Sequence, residues 1–200
     1  MDPKLAAVVD GLAEHGFVVI RNWLEEPLRQ ALRAELLVRR NEMTLAGIGR
    51  ADDHQQLTQV RNDQTLWLDG LSQQQGLYLA QMEALRQALN SSLFLGLNDY
   101  ECHFAHYPKG HFYQKHVDAF RGRSNRVVSA VTYLNAWWPE GAGGELAVYN
   151  SGDTLLTKVT PEPGTLVCFL SEAFPHEVLP AGDDRYSIAG WFRRDGHALL

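Results

Sequence analysis

The apolar positions of this chain change rhythm near its midpoint, from helical spacing to short runs. Asp2-Pro3 reads as an N-cap followed by proline at the first helical position, and Leu5, Val8, Val9 and Leu12 then fall on one face. Gly16 is a stop, and Phe17-Val18-Val19-Ile20 predicts a short buried strand. Glu26-Pro27 opens a second helix with Leu28, Leu32 and Leu36 at four-residue spacing. A third helix follows Gly70 and carries Tyr78, Met82, Leu85, Leu89 and Leu93 on one stripe. Such stripes are read as packing faces rather than cofactor contacts. Residues 43–62 show no period, are mostly polar and contain Gly47 and Gly49, which predicts a long loop or flexible hairpin. Long loops in compact domains often serve function.

From Tyr100 onward strand candidates recur at 101–108, 112–118, 126–135, 145–150, 155–161, 165–171, 176–181 and 185–193. Composition follows the same division. The first hundred residues hold seven of the seventeen glycines and two of the eight prolines; the second hundred hold ten and six. Short strands with Gly/Pro turns predict a sandwich or jelly roll, buttressed by the N-terminal helices. With no internal repeat or low-complexity linker, the economical expectation is one α+β domain over 1–200.

Charge and cysteine use narrow the classes. The net charge of −6 disfavours a partner bound by neutralising phosphates, so nucleic acid is not expected. The two cysteines, Cys102 and Cys168, cannot make a disulfide framework or a CxxC zinc site, and are read as core thiols. Apolar runs such as Phe17–Ile20 are far below the ~20 residues of a membrane span. No signal peptide is evident at the N-terminus. The expectation is a soluble, reduced, cytoplasmic domain. Its oligomeric state is not encoded, with a monomer favoured.

The residues capable of chemistry lie in the β half. In His116-Val117-Asp118 the imidazole and the carboxylate are two residues apart, which on a strand puts both on one face. By itself that pattern equally describes a surface histidine beside a solvated aspartate. His176 heads a later strand after Phe174-Pro175. Two histidines and one carboxylate leave adjacent positions open and suit non-haem Fe(II). Nine residues further, Arg185-x-Ser187 opens the last strand, with Arg185, Ser187, Ala189 and Trp191 on one face. Facing inward, Arg185 would be a buried cation needing an anion such as a dicarboxylate, with Ser187 and a tyrosine hydroxyl as further donors. The bland alternative is an edge-strand arginine paired with Asp183 or Asp184.

Together, His116-x-Asp118, His176 and Arg185-x-Ser187 on jelly-roll strands resemble the Fe(II)/2-oxoglutarate-dependent oxygenases, whose fold is the double-stranded β-helix (cupin-like). Tyr107-Pro108, Phe112-Tyr113, Tyr133-Leu134-Asn135, Gly143-Gly144-Glu145-Leu146, Pro175-His176-Glu177-Val178 and Arg185-Tyr186-Ser187-Ile188 with Trp191 look like the prolyl 4-hydroxylase branch. Arg61-Asn62-Asp63-Gln64-Thr65-Leu66-Trp67 resembles the Arg-x-Asp-x-x-x-Trp stretch of the finger loop in the prolyl hydroxylases that modify hypoxia-inducible factor. The similarity runs from about residue 10 to residue 193 and is greatest to small bacterial members. Ser187 departs from the small apolar residue of the animal relatives, and the Tyr107-to-His116 interval is one residue shorter.

The resemblance implies a division into helical support (1–99, with the finger loop) and jelly-roll core (100–193). It implies Fe(II) on His116, Asp118 and His176, and 2-oxoglutarate held by Arg185 with Tyr133, Tyr107 and Ser187. Arg61, Trp67, Tyr113, Arg126 and Trp191 would line the entry for a target proline. The implied reaction couples O2-driven decarboxylation of 2-oxoglutarate to succinate with C4 hydroxylation of a prolyl residue, with ascorbate as reductant. By kinship the protein substrate would be elongation factor Tu. A 2-oxoglutarate oxygenase acting on a small molecule or free amino acid is the alternative. A nucleic-acid demethylase would want an arginine six residues after Arg185, where Trp191 stands.

Three lesser features carry weaker expectations. His103, His106 and His111 are read as core or surface histidines rather than a second metal site. Lys109, Lys115, Arg121, Arg123 and Arg126, against Asp118 alone within 109–126, make either a local positive field for an anionic co-substrate or a solvated turn. Trp137-Trp138 is either an exposed aromatic patch or sheet-edge packing.

Overall fold

The computed structural model describes residues 1–46, 60–119 and 124–194. Helix α1 spans Pro3–His15; the Asp2 carboxylate accepts from Lys4 N at 2.7 Å, and Gly16 ends the helix at φ 73°. That left-handed conformation suits glycine, which closes helices at little steric cost. Strand β1 (Phe17–Ile20), helix α2 (Glu26–Val38) and a 3-10 turn (Arg40–Glu42) follow. Next come β2 (Thr44–Leu45), β3 (Gln64–Trp67) and helix α3 (Gln73–Leu93), which is capped by the Ser72 hydroxyl accepting from Gln75 N.

All eight predicted strands of the second half are present: β4 (Asp99–Tyr107), β5 (Tyr113–His116), β6 (Arg126–Tyr133), β7 (Leu146–Tyr149), β8 (Leu155–Val159), β9 (Leu166–Leu170), β10 (His176–Val178) and β11 (Arg185–Arg193). Their ends are trimmed for identifiable reasons. The 126–135 run stops at Tyr133 because Asn135 turns away to accept from Tyr186 N and donate to Pro161 O, both at 2.8 Å. The 176–181 run stops at Val178, and Pro180 has no N–H to extend the ladder. Strand β3 had not been foreseen; it pairs with β2 (Thr44↔Thr65) and β4. The predicted 43–62 loop is therefore rooted in a hairpin base, while its residues 47–59 lie outside the described part.

The sheets run β1-β9-β6-β11-β4-β3-β2 and β5-β10-β7-β8, all antiparallel. From β4 to β7 the chain crosses between them strand by strand, and it crosses again from β8 to β9, β9 to β10 and β10 to β11: this is a jelly roll. Period-two alternation on the large sheet produces two cores. Cys102, Phe104, Val128, Ala130, Ile188 and Phe192 join Val8, Leu12, Leu32, Leu36, Met82 and Leu85 of the three helices. Tyr107, Tyr133, Val167 and Phe169 join Leu146, Val148 and Val178 of the small sheet. Gly190 is needed where the helical core is tightest, since an added Cβ there would lie 2.6 Å from the Cys102 Cβ.

One buried polar contact ties helix to sheet. The Tyr78 hydroxyl, fully buried on α3, lies 3.1 Å from Thr132 Oγ1 and 3.2 Å from the Tyr100 hydroxyl. Tyr78→Phe leaves these groups short of a partner and is expected to lower stability by about 1–3 kcal/mol, read as a shift in urea midpoint at unchanged slope. Burial pushes the Cys102 thiol up to about 12 and raises Cys168 as well. Iodoacetamide at pH 8 should therefore spare both in the native protein and label both after unfolding in guanidinium.

Candidate active site

Strand pairing assembles the candidate metal ligands. Antiparallel β10 and β5 place His176 directly across from His116 in the small sheet, with ring centroids 4.3 Å apart. Asp118, two residues past the end of β5, brings its Oδ1 to 3.5 Å from His116 Nε2 and its Oδ2 to 3.6 Å from His176 Nε2. One donor atom from each of the three lies within 4.8 Å of the others, and among the described residues no other such cluster occurs.

Each imidazole is held through its far nitrogen. His116 Nδ1 lies 2.8 Å from Gln114 O and His176 Nδ1 lies 3.0 Å from Phe174 O. Each Nδ1 must donate to that carbonyl, which leaves the Nε2 lone pair free for a metal. Burial lowers the His176 pKa and so favours the neutral, ligating form. Burial alone would raise the Asp118 carboxyl; His176, His116 and the Ser129 hydroxyl outweigh it and hold the carboxyl well below the usual range. Deprotonated donors are what metal binding requires.

A cavity of about 340 Å³ opens above the triad, between the two sheets. Arg185 is at its base, 1% exposed, on the central strand β11 between β4 and β6. Its Nε donates to Gly144 O at 2.9 Å and its Nη1 to Ser187 Oγ at 3.3 Å. The Tyr107 and Tyr133 rings lie 5.0 and 4.9 Å from its Cζ. Among the described residues no carboxylate pairs with it. The edge-strand alternative is overturned: Asp184 instead accepts from the Tyr186 hydroxyl at 3.1 Å and lies 3.5 Å from His106 Nε2. Among the described residues the buried Tyr133 hydroxyl also finds no hydrogen-bond partner. An uncompensated guanidinium beside an idle hydroxyl is a fit for a carboxylate ligand.

The mouth is aromatic and internally charge-paired. Trp67 (β3) meets the buried His103 edge-on at 5.2 Å, and His103 in turn lies 5.6 Å from Trp191. Burial lowers the His103 pKa to about 4, so that ring is neutral. Tyr113 stacks on His116 at 3.6 Å, and the Arg61 guanidinium lies over the Tyr113 ring, 4.2 Å from its centroid. Arg61 is clamped by the fully buried Asp63 through bonds of 2.8 and 2.7 Å. Arg126 covers Trp191 at 3.6 Å and donates to Glu101 at 3.0 Å.

Eleven of the twelve predicted site residues line this one cavity; Tyr133 stands behind it, against Arg185. Of the cations in 109–126, which read as either a local positive field or a solvated turn, Lys115 pairs with Asp153 at 2.8 Å and Arg126 with Glu101 at 3.0 Å. Arg121 and Arg123 lie outside the described residues. His103, His106 and His111 form no cluster; His106 stacks on Tyr186 on the helix side of the sheet. Trp137 is 65% exposed, whereas Trp138 packs at the sheet edge and donates to Gly143 O at 3.0 Å. The sequence reading missed His103, Gly144 and Ser129 as parts of the site. Ser129 had a signal, being the one polar residue on the inward face of β6 between Val127 and Tyr133.

Comparison with known proteins agrees with this geometry. A profile of the 2OG-Fe(II) oxygenase superfamily matches residues 102–193. Egl nine homolog 1 of Homo sapiens is 28% identical over 207 aligned positions, which is 94% of this chain and 46% of that protein. The chain spans about half the length of the curated relatives it matches. Among solved structures, a Pseudomonas putida prolyl-4-hydroxylase is 46% identical with a TM-score of 0.86, covering 96% of this chain and all (100%) of that one. A prolyl hydroxylase from Trichoplax adhaerens, solved with a hypoxia inducible factor peptide fragment, is 25% identical with a TM-score of 0.81, covering 96% and 89%. With its His-Asp-His triad, its buried arginine and its match to a bacterial relative along 96% of its length, the chain belongs to the 2OG-Fe(II) oxygenase superfamily, in its prolyl-4-hydroxylase branch.

Proposed function

We propose that residues 1–200 act as one dioxygenase domain, a protein prolyl 4-hydroxylase dependent on Fe(II) and 2-oxoglutarate. The observation that carries this reading is Arg185: a guanidinium sealed at the base of the cavity without a carboxylate, in reach of the same space as the ligand triad. His116, Asp118 and His176 would hold Fe(II) through two neutral imidazoles and one carboxylate. When bound, the iron supplies the O2 chemistry that couples decarboxylation of 2-oxoglutarate to succinate and CO2 with hydroxylation at C4 of a prolyl ring.

The chain's own residues bind and orient. Arg185 receives the distal carboxylate of 2-oxoglutarate, with Tyr133 donating its idle hydroxyl proton and Ser187 fixing the guanidinium from the side. Tyr107, kept protonated by burial, lines the way to the metal. Trp67, Tyr113, Trp191 and the neutral His103 offer flat apolar walls for a pyrrolidine ring, and Arg61 and Arg126 brace those walls through Asp63 and Glu101. A protein rather than a free amino acid is favoured as substrate by the exposed ledge of Leu45 and Trp67, 58% and 53% exposed, which extends contact beyond a single residue. Elongation factor Tu is the proposed protein, ascorbate the reductant, and a monomer in a reducing, cytoplasmic setting the proposed state. Both cysteines are free and buried, in keeping with that setting.

Purified protein with Fe(II), 2-oxoglutarate and ascorbate is expected to form succinate faster with elongation factor Tu and to add 16 Da to one of its prolines by mass spectrometry. A gain on free proline alone would replace the protein substrate with a small molecule. His116→Ala is expected to abolish the reaction. Arg185→Ala should raise the KM for 2-oxoglutarate by about a hundredfold or more, as expected for truncating one member of a buried charge pair. Tyr133→Phe should raise it by about tenfold, the worth of one hydrogen bond to a charged group. Wild-type KM in both variants would remove the carboxylate assignment.

A further inference from the structure

The two histidine ligands are each pinned by a carbonyl two residues back in their own segment. Asp118 is different. It follows β5 in the small sheet, and the hydrogen bond that orients it comes from the opposite sheet: Ser129 Oγ on β6 lies 2.6 Å from Asp118 Oδ2. Ser129 is 1% exposed and is also 2.9 Å from the hydroxyl of Ser171, which is fully buried just past β9.

The direction of this relay follows from proton count. A serine hydroxyl has one proton to give. Ser129 Oγ gives that proton to Asp118 Oδ2, so Ser171 donates to Ser129. A metal ligand on one sheet is thereby held by a two-hydroxyl chain anchored on β6 and β9 of the other. The backbone beneath is rigid, with Ser129 paired to Phe169 on one side and Trp191 on the other.

We infer that Ser129, backed by Ser171, is a positioning residue for the metal: it fixes the rotation of the Asp118 carboxylate and occupies one lone pair of Oδ2, so that the carboxylate presents a single oxygen to the ion. Presenting one oxygen keeps a coordination position available for ligands other than protein. This inference rests on the metal-site reading of His116, Asp118 and His176 given above. Partners of this kind, one bond beyond the ligands, typically tune metal affinity by about 10–100-fold.

Cobalt(II) titration of the metal-free protein, without 2-oxoglutarate or O2 turnover, tests it through the dissociation constant and the visible ligand-field spectrum. Ser129→Ala is expected to weaken cobalt(II) binding about tenfold or more and to change the band intensities that report coordination number. Ser171→Ala should weaken it less, and Ser129→Thr, which keeps a hydroxyl, should restore both affinity and spectrum. A purely structural role would instead lower the thermal midpoint of the metal-free Ser129→Ala protein while leaving affinity and spectrum at wild-type values, and that result overturns the inference. Should Ser129→Thr not fold, Ser171→Ala decides, since wild-type affinity and spectrum in both alanine variants also overturn it. Absence of cobalt(II) binding by the wild type, with His116→Ala indistinguishable from it, would overturn the metal-site reading itself.

Discussion

Arg185 imposes the constraint on which the site depends. Removing a guanidinium from water costs several kcal/mol unless its charge and donors are met. This one is met only in part, by a carbonyl from the Gly143-Gly144 turn, one serine hydroxyl and two tyrosine faces. The position is tolerated because β11 is central in the large sheet: nine residues of ladder with β4 hold the backbone whatever the side chain costs. The residual deficit is directional and sits within one cavity with His116, Asp118 and His176. A carboxylate at that point would remove the deficit, whereas a neutral group of the same size would not.

The two sheets divide the labour. The small sheet supplies both histidines by direct cross-strand register, so their separation is set by strand spacing and not by loop conformation. The large sheet supplies the buried Arg185, the aromatic wall of Trp191 and the Ser129 hydroxyl that donates to Asp118. A site split across an interface is only as ordered as the packing between its halves. Here the packing is aromatic and aliphatic, with Phe169 against His176 at 4.6 Å and Phe17 against Phe174 at 5.6 Å. Interiors packed to this density do not deform gradually, which suits a centre whose ligands must keep fixed distances.

Local signals made much of this legible in the sequence. The Asp2-Pro3 cap, the leucine stripes and the alternating runs of β4 to β11 each depend on residues close in the chain. His-x-Asp is a two-residue signal, although β5 ends at His116 and Asp118 lies beyond the strand expected to carry both. What escaped were contacts between residues distant in sequence. Strand β3 exists because β4 offers it an edge; its own four residues, Gln-Thr-Leu-Trp, carry too little alternation to announce it. Arg61 and Asp63 read as finger-loop residues, yet burial turns them into a closed ion pair. The fate of Arg185 hinged on whether β11 was an edge or a central strand, a property of the whole sheet.

Net charge shows the same limit from the other side. Summing residues over 109–126 gives a basic segment, and in the folded protein two of its cations are met by carboxylates before they reach the cavity. Lys115 faces Asp153; Arg126 and Arg193 share Glu101, and Arg193 also holds Asp99 at 2.6 Å. Paired, partly exposed charges of this kind attract little at a distance in salt. Among the described cations that line the cavity, the one without a carboxylate is Arg185 at the base, where surrounding protein weakens screening and field lines converge. Attraction for an anion therefore grows with depth instead of being spread over the rim. The rim is left to discriminate by the flat faces of Trp67, Tyr113 and Trp191, a surface that reads shape and ring geometry before it reads charge.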